Sequence, residues 1–123
     1  MSEEFETARI EMDSLIESVQ SVILASVDGA GDPLSSYAPV FVDENCRFYI
    51  YISSIANHTS QIRRSKRASV MLIEDESVAE NLFAQKRLTV DCQALIVDRD
   101  SSDWMQIISK MESRHGETMS YLK

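Results

Sequence analysis

Cysteine, histidine and glycine are scarce in this chain of 123 residues, which carries two Cys, two His and three Gly. Cys46 and Cys92 are too few to frame a disulfide scaffold and neither sits in a CxxC pair. Both read as ordinary strand residues of a protein from the reducing cytosol. His58 and His115 stand far apart in the sequence, and neither has a Cys or His three or four residues away. Spacing therefore points to no metal centre. There is no glycine-rich nucleotide loop, no GxSxG, no HExxH, no EF-hand loop and no internal repeat. Long apolar runs are missing too. The longest uncharged one, Ser21 to Val27, is far short of a membrane span, and no secretory signal pattern opens the chain. The expectation is a soluble, cytoplasmic protein.

Positive charge is the other shortage. Twelve Lys and Arg face twenty Asp and Glu, a net charge of −8. Such a field repels nucleic acid and anionic membranes, so neither is an expected partner. The charge is unevenly placed. Six acids lie between Glu3 and Glu17 and four between Glu74 and Glu80, whereas Arg63, Arg64, Lys66 and Arg67 form a compact basic cluster. That cluster is either a solvated helix end or a place to hold a small anion.

What is present suffices for a core. With 44% hydrophobic and 26% charged residues, apolar runs sit beside the charges rather than being replaced by them, which excludes disorder. A chain of 13.9 kDa folded compactly exposes roughly 6,700 Å² and buries about two-thirds of its unfolded surface.

Phe5, Ala8, Met12, Leu15 or Ile16, and Val19 recur at helical spacing, which predicts an amphipathic helix over residues 3–20. Strands follow at Ser21–Val27, Leu34–Val42 and Arg47–Ser53, separated by the turn signals Asp28–Pro33 and Asp43–Asn45. In the third strand Phe48, Ile50 and Ile52 share one face, and Tyr49 and Tyr51 the other. These three strands read as an antiparallel meander. Ser54–Ser65 reads as a short helix, Ala68–Ile73 as a fourth strand, and Glu74–Glu80 as a loop or helical turn. Arg87–Val97 reads as the fifth and longest strand. Ser101 or Ser102 then caps a helix over 102–115 with Trp104, Ile107, Ile108 and Met111 inward. Gly116 stops it, and Arg114 and His115 suit its dipole. The plan is α+β, mainly antiparallel β, not βαβ. Five strands close a barrel poorly, so an edge is left for a second copy to cover.

The middle of the chain carries five strings in close order: Ser35-Ser-Tyr-Ala-Pro39, Tyr49-Ile-Tyr-Ile-Ser53, Ile55-Ala-Asn-His-Thr59, Ala68-Ser-Val-Met-Leu-Ile-Glu-Asp-Glu76 and Leu82-Phe-Ala-Gln-Lys-Arg-Leu-Thr89. This series resembles the haem iron utilisation proteins, a branch of the flavin-binding split β-barrel superfamily that includes pyridoxamine 5′-phosphate oxidase. The resemblance runs from about Ser21 to Gly116. It implies one split-barrel domain over 1–123 with its barrel at 21–98, in a homodimer with two ligand sites between subunits. Oxidase members hold FMN there. Haem-utilisation members hold haem, and some degrade it oxidatively to release iron.

An FMN phosphate needs two or more cations. The oxidases supply them from a Ser-Arg-Lys string whose matching positions here are Ala56, Asn57 and His58, so Thr59, His58 and Arg63 would have to serve instead. Haem needs an apolar crevice, cations for two propionates and an axial ligand. The resemblance offers His58 as ligand to the haem iron or as a pocket residue. It offers Lys86 and Arg87 as cations, and Ser36, Tyr37, Tyr49 and Tyr51 as polar and aromatic walls. Without a ligand, Lys86 and Arg87 read as a strand-entry pair bridged to Glu76 or Glu80. Gln85 stands where the family has a further Arg. The family's last strand and its tail with an axial His do not follow Gly116 in this sequence, which ends at Lys123. Three readings stay open: haem binding with or without degradation, FMN-dependent oxidoreduction, and a non-catalytic dimer with a vestigial cleft.

Overall fold

A computed structural model describes residues 2–52 and 57–116. Helix α1 spans Glu3–Ser18, two residues shorter at its end than the periodicity predicts. The Ser2 side chain caps it by accepting from the Phe5 amide, and Glu3, Glu4 and Glu6 place negative charge against its positive end. Leu15 and Val19 are buried, but Phe5 remains 55% exposed.

Strands β1 (Ser21–Val27), β2 (Pro33–Val42) and β3 (Phe48–Ile50) form the expected meander. Strand β3 starts one residue after the predicted Arg47 and stops before Tyr51 and Ile52, the predicted end at Ser53 lying outside the described residues. The two turns of the meander are built alike. Asp28 Oδ1 accepts from the amides of Ala30 and Asp32, and Asp43 Oδ1 from those of Asn45 and Arg47, each at 2.9 Å. In both loops the fourth residue is left-handed, Gly31 at φ 88 and Cys46 at φ 61. Cys46 is thus an exposed turn residue rather than a strand residue.

Helix α2 covers Asn57–Ser65; the expected start at Ser54 falls outside the described residues. Strand β4 (Arg67–Ile73) leads through 3-10 turns at Glu76–Val78 and Leu82–Ala84 to β5 (Arg87–Gln93). Strand β5 stops four residues before the predicted Val97, and β2, not β5, is the longest strand. After the Ala94 amide donates to the Lys66 carbonyl at 2.8 Å, the chain leaves the sheet, with Leu95 and Ile96 exposed. Helix α3 (Ser102–His115) is capped by Ser101 and ends at Gly116, φ 79.

The five strands lie in the order β3-β2-β1-β4-β5, every pair antiparallel. Register assigns the faces. Leu24 opposes Ser36 and Val70, and Val70 opposes Val90; with Val22, Ala38, Val40 and Leu72 these mark the core face, on which α1 packs through Leu15 and Val19. Ile23 opposes Tyr37 and Met71, and Met71 opposes Thr89, which marks the other face. Helix α3 covers only one end of that second face, where Ile108 and Met111 pack on Phe41, Tyr49 and Tyr51. Phe48, Ile50 and Ile52 join the core side, as their alternation predicts. Arg114 donates to the Val19 carbonyl, and His115 Nε2–H to the Val40 carbonyl at 2.9 Å. The two residues therefore dock α3 as well as facing its dipole. The accessible surface is 9041 Å², well above the roughly 6,700 Å² of a compact monomer of this mass. No helix of the described residues is long and apolar enough to cross a membrane.

Candidate functional site

Away from α3, no helix of the described residues packs on the second face of the sheet, the open face. Across its middle run Tyr37, Ile23, Met71 and Thr89, with Ser35, Ala25, Ser69 and Asp91 in the next row. Tyr37 is 72% exposed, an unusual state for an aromatic residue in the middle of a ten-residue strand. One more step along, Arg87 pairs with Ile73 and places a cation beside this apolar strip.

Alternation sorts the residues singled out from sequence onto two faces. Tyr37 and Arg87 belong to the open face, whereas Ser36, opposite Leu24, is half-buried on the core face. Lys86 continues the ladder by one pair, its carbonyl accepting from the Glu74 amide and its amide donating to Glu74 Oε1. It therefore shares parity with Leu88 and faces α1, where its Nζ lies 3.9 Å from Glu11 Oε1. Within one chain alternation sends Lys86 and Arg87 to opposite faces, and the ion pair of Lys86 is with Glu11 rather than Glu76 or Glu80. The Arg87 guanidinium donates to the Gln85 carbonyl at 3.0 Å.

Helix α2 stands at the other end of the sheet. Thr59 is buried at 4% exposure, Arg63 is exposed, and His58 lies in the first turn, its side chain outside the described residues. Ser26 Oγ, itself buried, donates to Gln61 Oε1 at 2.7 Å and holds α2 over β1. Arg64 donates to the Val27 carbonyl at 3.0 Å, passing so close to Gly29 that a Cβ there would lie 2.5 Å from its Nη1. From Ser26 to the row of Arg87 is about five residues, or ~17 Å along the strands. Within one chain the α2 residues and Arg87 are separate groups.

Tyr51 packs against α3, and its hydroxyl accepts from Arg99 Nη2 at 2.7 Å. Arg99 lies 5.4 Å from the centre of the Trp104 ring. Sequence reasoning missed Arg99, because it lies in a connecting segment where no periodicity assigns a face. It also missed Gln61 and gave Arg64 no individual role, although the basic cluster flagged the neighbourhood. At the β2–β3 turn, Tyr49 donates to Asp43 Oδ2 at 3.1 Å. Burial and then this neighbour push the Tyr49 hydroxyl pKa up. At Asp43 burial works upward, but the Arg47 and Asn45 amides, the Tyr49 hydroxyl and the Arg47 charge together prevail and hold the carboxyl below its ordinary range.

The chemistry of these groups can be set against two cofactors. A dianionic phosphate at the start of α2 would meet Asn57 and Thr59 but no Lys or Arg in that first turn. Arg63 and Arg64 follow only later, and Arg64 is turned to the Val27 carbonyl. The fit is poor. An apolar macrocycle with carboxylate arms asks for an apolar strip, aromatic walls, cations and an imidazole. Ile23, Met71, Tyr37, Arg87 and His58 are of those types. His115 is engaged through Nε2 with the Val40 carbonyl. No group of three His, Cys, Asp or Glu able to hold a bare metal ion occurs among the described residues.

Residues 8–123 match the family model described as pyridoxamine 5′-phosphate oxidase. The chain is 46% identical over 99 residues to the haem oxygenase HutZ of Vibrio cholerae serotype O1, covering 80% of this chain and 56% of that protein. It thus spans little more than half the length of the curated relative it matches. Among solved structures, HutZ of Vibrio cholerae, described there as a haem storage protein, superposes with a TM-score of 0.85 at 39% identity, over 92% of this chain and 79% of that one. Campylobacter jejuni ChuZ superposes with a TM-score of 0.86 at 27% identity, over 98% of this chain and 50% of that one. The open five-stranded sheet is the half-barrel of this fold.

Proposed function

The chain belongs to the pyridoxamine 5′-phosphate oxidase family, and on that basis we propose that it binds haem in the manner of the haem-utilisation branch, in sites completed between two copies of the chain. The observation that carries this reading is the 46% identity to a haem oxygenase over four-fifths of the chain. The donor types support it: an apolar strip at Ile23 and Met71, Tyr37 and Tyr51 as aromatic walls, and Arg87 for a propionate. His58 is the ligand to the haem iron, with Ser36, Thr59 and Arg63 shaping the α2 end. Lys86 faces α1 and joins this site only if the partner copy brings it there.

Two observations support the dimer. The chain exposes 9041 Å², roughly 2,300 Å² more than a compact monomer. Its open sheet face also presents Tyr37 at 72% exposure. Covering that face with a second copy would bury Tyr37 and reduce that excess. Oxidative opening of bound haem with release of iron is the activity such a site would carry. Haem iron, when bound, supplies the oxygen chemistry, and the protein supplies orientation, cations and exclusion of water. The cytosol is the compartment this reading expects.

A haemin titration of the purified protein tests it. The expected result is a Soret shift saturating near one haemin per chain, weakened at least tenfold in His58→Ala, with a dimer in sedimentation. No Soret shift would overturn haem binding. A preparation that instead gains a stoichiometric flavin spectrum with FMN would replace it with the oxidoreductase reading. Failure of both titrations in an intact dimer would leave the vestigial-cleft reading.

A further inference from the structure

The core side of the sheet holds a groove between α1 and the start of β5. It has a volume of about 420 Å³ and is lined by Phe5, Ala8, Met12 and Leu15 on the helix and by Lys86 and Leu88 on the strand, with Arg9, Glu11 and Arg87 completing its rim. Its volume lies within the ~300–1,000 Å³ range of small-molecule sites. Four of these residues carry large apolar side chains, and Phe5 stays 55% exposed over the groove. The Lys86 ammonium stands at its rim. Its side-chain partner among the described residues is Glu11, at 3.9 Å, with both side chains more than half exposed. An exposed pair at that distance is a weak one, readily exchanged for another carboxylate.

We propose that this groove is a second binding site, for an acyl carboxylate whose chain lies along Phe5, Met12 and Leu88 and whose carboxylate replaces that of Glu11 on Lys86. The charge pattern selects an anion at one end and the lining selects an apolar body behind it. Against the chain's net charge of −8, the local cations Arg9, Lys86 and Arg87 at the groove favour a carboxylate over a cationic ligand. Lys86 and Leu88 share the parity that faces α1, so the groove lies on the core side of β5, with Arg87 bordering it at the edge of the sheet. The inference does not depend on haem binding.

Calorimetric titration of the full chain with decanoate tests it. Each methylene buried should tighten binding about fourfold, so octanoate binds more weakly than decanoate. The two halves of the ion pair should act with opposite signs. Glu11→Gln removes the competitor and tightens decanoate about two- to fivefold, whereas Lys86→Gln weakens it by at least as much. A purely structural ion pair would move both variants the same way. Decanol, lacking the charge, should bind weakly and respond to neither change. The proposal is overturned by absence of decanoate binding, by variants shifting in one direction, or by displacement of decanoate with one equivalent of haemin. Decanoate binding that persists whether or not haemin gives a Soret shift supports it.

Discussion

The buried hydroxyl of Ser26 donates a 2.7 Å hydrogen bond to Oε1 of Gln61, and through it β1 holds the helix that carries His58. Ser26 is buried and Gln61 half-buried between the sheet and α2. Gln61→Leu should leave the hydroxyl unsatisfied and cost about 1–3 kcal/mol in chemical denaturation. Ser26→Ala with Gln61→Leu, removing both polar groups, should recover part of that loss. Because α2 also positions His58, Gln61→Leu should weaken haemin binding more than Ser26→Ala does.

Cys46 holds in the second hairpin the left-handed position that Gly31 holds in the first. A side chain there costs about 1 kcal/mol relative to glycine. Cys46→Gly should therefore raise stability by roughly 0.5–1 kcal/mol, read as a higher urea midpoint with an unchanged slope. Gly31→Ala should lower it by a similar amount.

Gly29 allows Arg64 to reach the Val27 carbonyl. Gly29→Val should expel the guanidinium, because a Cβ would stand 2.5 Å from Nη1. Loss of one hydrogen bond from a charged donor predicts a destabilisation of about 1–2 kcal/mol. An Arg64→Ala background should absorb most of that effect, and the double-mutant cycle measures it.

Asp43 gives the fold an acid sensitivity. Its folded pKa is depressed, so its contribution is present above the ordinary carboxylate range and fades as pH falls through the folded value. Thermal midpoints followed from pH 7 down to pH 2 should fall more steeply for the parent protein than for Asp43→Asn. Equal slopes would show that the turn carboxylate does not contribute.

Local chemistry was legible because it depends on neighbours in the chain. The Ser101 cap, the Gly116 stop, the aspartate turns and the alternation of Phe48, Tyr49, Ile50 and Tyr51 all rest on contacts a few residues apart. Misreadings came where a local pattern outlasted its tertiary support. Leu95 and Ile96 continue an alternating run, yet β5 ends at Gln93 because its partner strand β4 begins at Arg67, opposite Gln93. Cys46 has strand propensity but lies where the turn demands a left-handed backbone.

The candidate site divides along the same line. The residue types that suit haem, an imidazole at His58 with cations and tyrosines nearby in the chain, were fixed by the sequence alone. Only the tertiary structure decided that Lys86 and Arg87, adjacent in the chain, serve opposite faces, and that Glu11 rather than Glu76 or Glu80 meets Lys86. The physical reason is the two-residue period of a strand combined with the order of its neighbours. Each side chain's face follows from alternation, but what lies on that face depends on β1 sitting between β2 and β4 and on α1 folding back across the core side. Those contacts join distant parts of the chain, and cooperative burial of the core selects them rather than local preference.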